Sequence, residues 1–210
     1  MKLRNKEGGF KLTFDNYIKI SNKDITPSYE ELESKLKTAL TNLDLNIKFF
    51  KSLSWGKFND ELCKLVDSSN FDEITDLNLV CGVKGFYIMV LDDYCQIYIG
   101  IAKNIRRRIR EHWSTQIPLN KLVVKHLQDN RLSIDSFREL DTTRIFVRPC
   151  PECDFDNYPL ISGNLEDQLI RQFPSDYCMN KSYGGWSLKE ILEAKERRKK
   201  ALESISSDYE

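Results

Sequence analysis

From Lys84 the chain reads KGFYIMVL, apolar at nearly every position, then DDY, then CQIYIG. A continuous apolar run, a cluster of turn residues and a second short run predict an antiparallel hairpin whose first strand is covered on both faces. Beyond it the period lengthens from two to about 3.6. IAKNIRRRIREHW sets Ile105, Ile109 and Trp113 on one stripe, which predicts a helix from an Asn104 N-cap to Trp113. PLNKLVVKHLQD predicts another helix, TTRIFVRP a third strand, and SGNLEDQLIRQF a helix capped at Ser162. A charged amphipathic helix, SLKEILEAKERRKKALESI, follows the Gly184-Gly185 break. Upstream, Leu32, Leu36, Ala39, Leu40 and Leu43 recur at helical spacing behind Pro27 and Ser28, and a shorter helix is expected over 57–66. The pattern divides the chain into a mainly helical N-terminal extension (1–80), a mixed module (81–186) and a charged C-terminal helix (187–210).

Composition narrows the class without naming a partner. The 210 residues are 40% hydrophobic and 30% charged, as in an ordinary globular protein. MKLRNKEGGF lacks the apolar core of a signal peptide, and no run approaches the roughly 20 apolar residues of a membrane span. A cytoplasmic location without membrane association is therefore expected. Lys plus Arg and Asp plus Glu both number 32, so any polyanion site must come from local clustering. Lys103, Arg106, Arg107, Arg108 and Arg110 form such a cluster, which is either a solvated helix face or a nucleic-acid contact. The six cysteines are expected as reduced thiols. Cys150 and Cys153 have zinc-ligand spacing, but no second pair follows to complete four ligands.

Three placements raise questions of chemistry. Tyr87 and Tyr98 lie on one face of the hairpin, directly opposite if the loop is Asp92-Asp93 and diagonal if it has four residues. Arg108 and His112 fall at the margin of the stripe made by Ile105, Ile109 and Trp113, whereas Arg106, Arg107 and Arg110 point away. A guanidinium beside a core is costly unless it meets an anion, either a local carboxylate or a phosphate. In the later helix Glu166 falls inside the stripe of Leu165, Leu169, Ile170 and Phe173, while Asp167, Gln168, Arg171 and Gln172 take the outer face. A carboxylate aimed into a core is protonated, paired with a cation such as Arg108, or bound to a metal.

These residues resemble the GIY-YIG endonuclease family. Its first motif stands here as GFY (Gly85 to Tyr87), with Phe86 in place of isoleucine, and its second as YIG (Tyr98 to Gly100). Arg108 occupies the place of the family arginine, His112 that of a histidine carried by some nuclease members, Glu166 that of the glutamate and Asn180 that of the asparagine. The resemblance spans roughly residues 82–186. Ile101 stands where repair-type members often carry a lysine, which points away from repair.

The resemblance implies an α+β fold, a small three-stranded antiparallel sheet flanked by helices, in agreement with the order of elements above. It also implies metal-dependent hydrolysis of DNA phosphodiester bonds. In that scheme Glu166 ligates one Mg2+ or Mn2+, Arg108 stabilises transition-state charge, and Tyr87 acts as general base once activated through His112, Arg108 or water. Tyr98 orients water or phosphate, and Asn180 braces the site. Lys103, Arg106, Arg107 and Arg110 are the expected DNA contacts. A restriction-type nuclease is the expected role, with a repair or mobile-element nuclease, or a non-catalytic nucleic-acid-binding module, as alternatives. Cutting two strands with one site takes two protomers or sequential nicking, so a homodimer is one of the two arrangements that fit.

Overall fold

The computed structural model describes residues 18–19, 29–115, 117–118, 132–153 and 162–180. Helices α1 (Tyr29–Lys51), α2 (Trp55–Ser68), α3 (Ile105–Ser114) and α4 (Ser162–Arg171) surround a sheet built from β2 (Asp72–Ile74), β3 (Gly85–Leu91), β4 (Gln96–Ala102) and β6 (Arg144–Pro149). The strand order is β2-β6-β3-β4, antiparallel throughout. A separate parallel pair joins β1 (Ile18–Lys19) to β5 (Ile117–Pro118). The helix expected over PLNKLVVKHLQD lies, beyond Pro118, outside the described residues, as does the C-terminal helix. No helix among the described residues is long and apolar enough to cross a membrane.

The sheet has four strands rather than the expected three. The extra edge strand, β2, comes from within the segment read as the N-terminal extension and pairs Ile74 with Ile145 on β6. Its three residues include one buried apolar side chain, too little to produce a period in the sequence. Other parts of that segment also enter the cores: Phe49 and Phe50 of α1 pack on one face of the sheet, and Phe58, Leu62 and Leu65 of α2 on the other.

Central position explains why GFYIMVL is apolar throughout. β3 lies between β6 and β4, with helices over both faces, and all seven of its residues are buried. Alternate residues serve different cores. Tyr87, Met89 and Leu91 face Ile105, Ile109 and Trp113 of α3 together with Leu132, Ile134 and Phe137. Phe86, Ile88 and Val90 face α2 and the Leu169, Ile170 and Phe173 side of α4.

The hairpin register differs from the simplest expectation. Leu91 pairs with Gln96, so the loop has four residues, Tyr87 sits opposite Gly100, and Tyr98 sits opposite Met89. The two tyrosines are therefore diagonal neighbours. Cys95 closes this loop in the left-handed region (φ 49, ψ 47), and its amide donates to the Asp92 carbonyl. Asp92 is buried, and its carboxylate accepts from Arg144 at 2.6 Å and from Thr143 at 2.6 Å. That anchoring consumes the residue a two-residue turn would have exposed, and the loop widens. Cys150 and Cys153 are joined in a disulfide, contrary to the expectation of reduced thiols. Cys63, Cys81, Cys95 and Cys178 are in no disulfide.

Candidate active site

Both motif glycines are required by contacts. Gly85 has φ +150, and a Cβ there would run into the Arg148 carbonyl and the Cys150 amide. The central strand can approach β6 this closely only without a side chain at that point. A Cβ at Gly100 would collide with the Tyr87 ring and hydroxyl, because Tyr87 lies across its cross-strand partner. The missing side chain gives the phenol its place.

From that place Tyr87 turns its hydroxyl toward α3. Asn104 caps the helix, its side chain accepting from the Arg107 amide at 3.0 Å. Ile105, Ile109 and Trp113 fill the core face, and His112, beside them, is only 1% exposed. The Tyr87 hydroxyl and His112 Nε2 lie 2.9 Å apart, and His112 Nδ1 lies 2.6 Å from Asp135 Oδ1. Tyr98 completes the aromatic wall, its ring edge-on to His112 at 5.1 Å and 6.2 Å from the Tyr87 ring.

Burial raises the Tyr87 phenol well above its ordinary value. The neighbouring Tyr98 adds to the rise, and the charge of Arg108 opposes it. Tyr98 is pushed up to about 12 by burial and by the Glu166 charge, again with Arg108 opposing. The two phenols, Arg108 and Glu166 thus sense one another across a single site. Arg108 stands at its mouth. Its side chain is 46% exposed, its Nη1 lies 3.4 Å from Glu111, and it also interacts with the hydroxyls of Tyr87 and Tyr98.

Glu166 lies in α4, which packs on β4, the outer strand of the sheet. It is half-buried, whereas Leu165, expected in the apolar stripe, is 38% exposed. The buried face is centred on Leu169, Ile170 and Phe173. Leu165 lies about a quarter turn from that centre and Glu166 near it. Asp167, expected on the outer face, is half-buried.

Asn180 acts on the backbone. Its Oδ1 accepts from the Ile99 amide at 2.9 Å and its Nδ2 donates to the Ile99 carbonyl at 2.7 Å. Beside it the Met179 amide donates to the Ile97 carbonyl at 2.8 Å. The side-chain amide therefore substitutes for a neighbouring strand along the open edge of β4 and fixes the segment carrying Tyr98 and Gly100.

The remaining basic residues divide. Lys103, Arg107 and Arg110 are exposed, with Arg107 3.4 Å from Glu111. Arg106 is half-buried and its Nη1 donates to Cys81 Sγ at 3.4 Å, so it is partly committed to the protein's own turn.

Asp135 escaped the sequence reading. The signal was indirect: a histidine beside a buried stripe calls for an acceptor on its second nitrogen. The region 114–141 offers several carboxylates, and spacing across a loop does not choose among them. The hydrogen bond from His112 holds the Asp135 carboxyl below its ordinary range against the opposing effect of burial, and Arg108 and Arg138 act in the same direction as His112.

Among the described residues no cluster of three or more His, Cys, Asp or Glu side chains is placed to hold a metal ion. Two half-buried carboxylates lie at the site, and Asp135 is committed to His112, which leaves Glu166 as the candidate donor. A hard cation that keeps most of its water, such as Mg2+ or Mn2+, fits a single oxygen donor reached by solvent. No protein-family model matches the chain, and neither a curated protein nor a solved structure matches it.

Proposed function

We propose that this protein is a metal-dependent DNA endonuclease of the GIY-YIG type, most simply of the restriction kind. The observation that carries the proposal is the meeting of a buried phenol, Tyr87, and a half-buried one, Tyr98, their rings 6.2 Å apart, with a half-exposed cation and a carboxylate: the charges of Arg108 and Glu166 both act on the two phenols. Structural ion pairs ordinarily pair off locally, whereas this group opens at Arg108 toward solvent.

In this reading Arg108 binds the scissile phosphate and stabilises the charge that builds on its oxygens in the transition state. Tyr87 takes a proton from the attacking water. Its raised pKa makes a standing phenolate unfavourable, so its own proton must leave as the new one arrives. Tyr98 orients the water or phosphate, and Asn180 keeps β4 in register. Glu166 would hold Mg2+ or Mn2+, which when bound supplies charge neutralisation at a non-bridging phosphate oxygen and at the departing 3′-oxygen. Lys103, Arg107 and Arg110 offer exposed charge for the DNA backbone, with Arg106 a weaker contributor. A homodimer would present two such sites to the two strands.

The test is plasmid cleavage with Mg2+ or Mn2+. Wild type converts supercoiled DNA to nicked or linear forms, and Glu166→Ala reduces cutting to background while keeping its melting temperature. A Glu166→Ala protein that cuts at the wild-type rate contradicts the assigned role of the carboxylate.

A further inference from the structure

His112 has both ring nitrogens engaged in a buried setting. Nε2 meets the Tyr87 hydroxyl at 2.9 Å and Nδ1 meets Asp135 Oδ1 at 2.6 Å. The acid is aimed by its surroundings. It lies in a single turn, Ile134–Ser136, pinned by the buried side chains of Leu132, Ile134 and Phe137. The Leu132 amide donates to Asn46 of α1 at 3.2 Å, and Arg138 donates to the Asp135 carbonyl at 2.9 Å. Farther along, Trp113 donates to Thr142 at 2.9 Å, tying the same segment to α3. Glu111, the nearest acid in sequence, is turned instead to Arg107 and Arg108.

We infer that Asp135 is a positioning residue that fixes the tautomer of His112, so that His112 Nε2 receives the proton Tyr87 gives up. An ionised carboxylate only accepts, so Nδ1 must carry the proton of a neutral imidazole and Nε2 must present a lone pair to the phenol. The catalytic consequence rests on the nuclease reading; the tautomer does not. As the water oxygen bonds to phosphorus and the bond to the 3′-oxygen breaks, the water proton passes to Tyr87 Oη while the Tyr87 proton passes to His112 Nε2. The phenol ends neutral and the imidazole ends as a cation beside the Asp135 anion. The departing oxygen takes a proton from solvent, and His112 later returns one to solvent. The buried site never holds a free phenolate, and the new positive charge forms where a carboxylate already waits. The charged and titratable groups facing His112 are Tyr87 from β3, Tyr98 from β4, Asp135 from its turn and Arg108 one helical turn earlier, with Glu166 acting on both phenols.

The test compares wild type, Asp135→Asn, His112→Gln and the double variant, as full chains, in single-turnover DNA cleavage. It is combined with 15N NMR of the imidazole nitrogens. The chain has two histidines, His112 and His126, so His126→Gln leaves one imidazole to read. In wild type, His112 carries its proton on Nδ1; in Asp135→Asn it moves to Nε2. The rate falls roughly 10²- to 10⁴-fold, as expected for a base held in the wrong tautomer. On the His112→Gln background the same substitution adds no further loss. An unchanged rate in Asp135→Asn, or a full additional loss in the double variant, overturns the inference. Should Asp135→Asn fail to fold, an Nε2-protonated His112 in wild type overturns it alone. If wild type does not cut but the tautomer switches as described, the nuclease reading falls and the positioning of His112 stands.

Discussion

The two faces of the β3-β4 hairpin are made by alternate residues of the same strands, yet they do opposite work. One face sets Phe86, Ile88, Val90, Ile97 and Ile99 against α2 and α4 in a mostly hydrocarbon core, with the Arg148 guanidinium stacked on Phe86 at its edge. The other begins the same way at Met89 and Leu91, then places Tyr87 and Tyr98 against His112 within a mostly apolar surround. The buried hydroxyl of Tyr87 and both ring nitrogens of His112 find partners inside the protein, along the chain Tyr87, His112, Asp135. The apolar face fixes where the strands are. The polar face uses that rigidity to hold a proton-bearing phenol in a setting that water alone would not create.

That contrast predicts which substitutions separate stability from chemistry. Tyr87→Phe removes one hydroxyl and keeps the ring that lies across Gly100. Single-turnover cleavage should fall about 10²- to 10⁴-fold with a melting temperature close to wild type. A wild-type rate would mean that the phenol takes no part. Ile88→Ala, one residue along on the opposite face, should do the reverse: lose about 2–5 kcal/mol in chemical denaturation while the rate per folded molecule stays constant. An equal loss of activity per folded molecule would show that the two faces are not separable.

A smaller effect concerns alkaline pH. An unfolded tyrosine loses its proton near pH 10, whereas Tyr98 in the fold is pushed up to about 12. Between those values the unfolded chain binds fewer protons than the folded one. The neutral-phenol contribution is therefore complete below about pH 10 and is lost as pH rises toward 12, by roughly 2–3 kcal/mol. Denaturation at stepped pH should show this decline in wild type and a shallower one in Tyr98→Phe. Identical slopes would indicate that Tyr98 is not held in the neutral form by its setting.

The same contrast explains what the sequence disclosed. Continuous apolar runs marked β3 and β4, and the spacing of Ile105, Ile109 and Trp113 marked α3, because burial imposes those periods directly. The place of Glu166 near the buried face of α4 was legible for the same reason, even though Leu165 was assigned to that face wrongly. The hairpin register was not legible, since it depends on Asp92 turning inward to Arg144 and Thr143, a contact made across the sheet. Nor was β2, whose three residues carry no period. Asp135 lay beyond reach because its relation to His112 is set by the packing of a loop, not by any spacing along the chain. The helix's basic run, the most conspicuous feature of the sequence, turned out mixed: Arg108 faces the phenols while Arg106 reaches Cys81.

In the proposed function, Tyr87, Tyr98, Arg108, His112 and Glu166 form one site for hydrolysing a phosphodiester bond. The most direct measurement is the end chemistry of duplex DNA incubated with the wild-type protein and Mn2+ in 18O-labelled water, read by mass spectrometry. A hydrolytic site of this kind should make metal-dependent cuts that leave a 3′-hydroxyl and a 5′-phosphate carrying one solvent oxygen. DNA that remains intact with folded protein and metal present, or cuts that leave a 3′-phosphate, would contradict it.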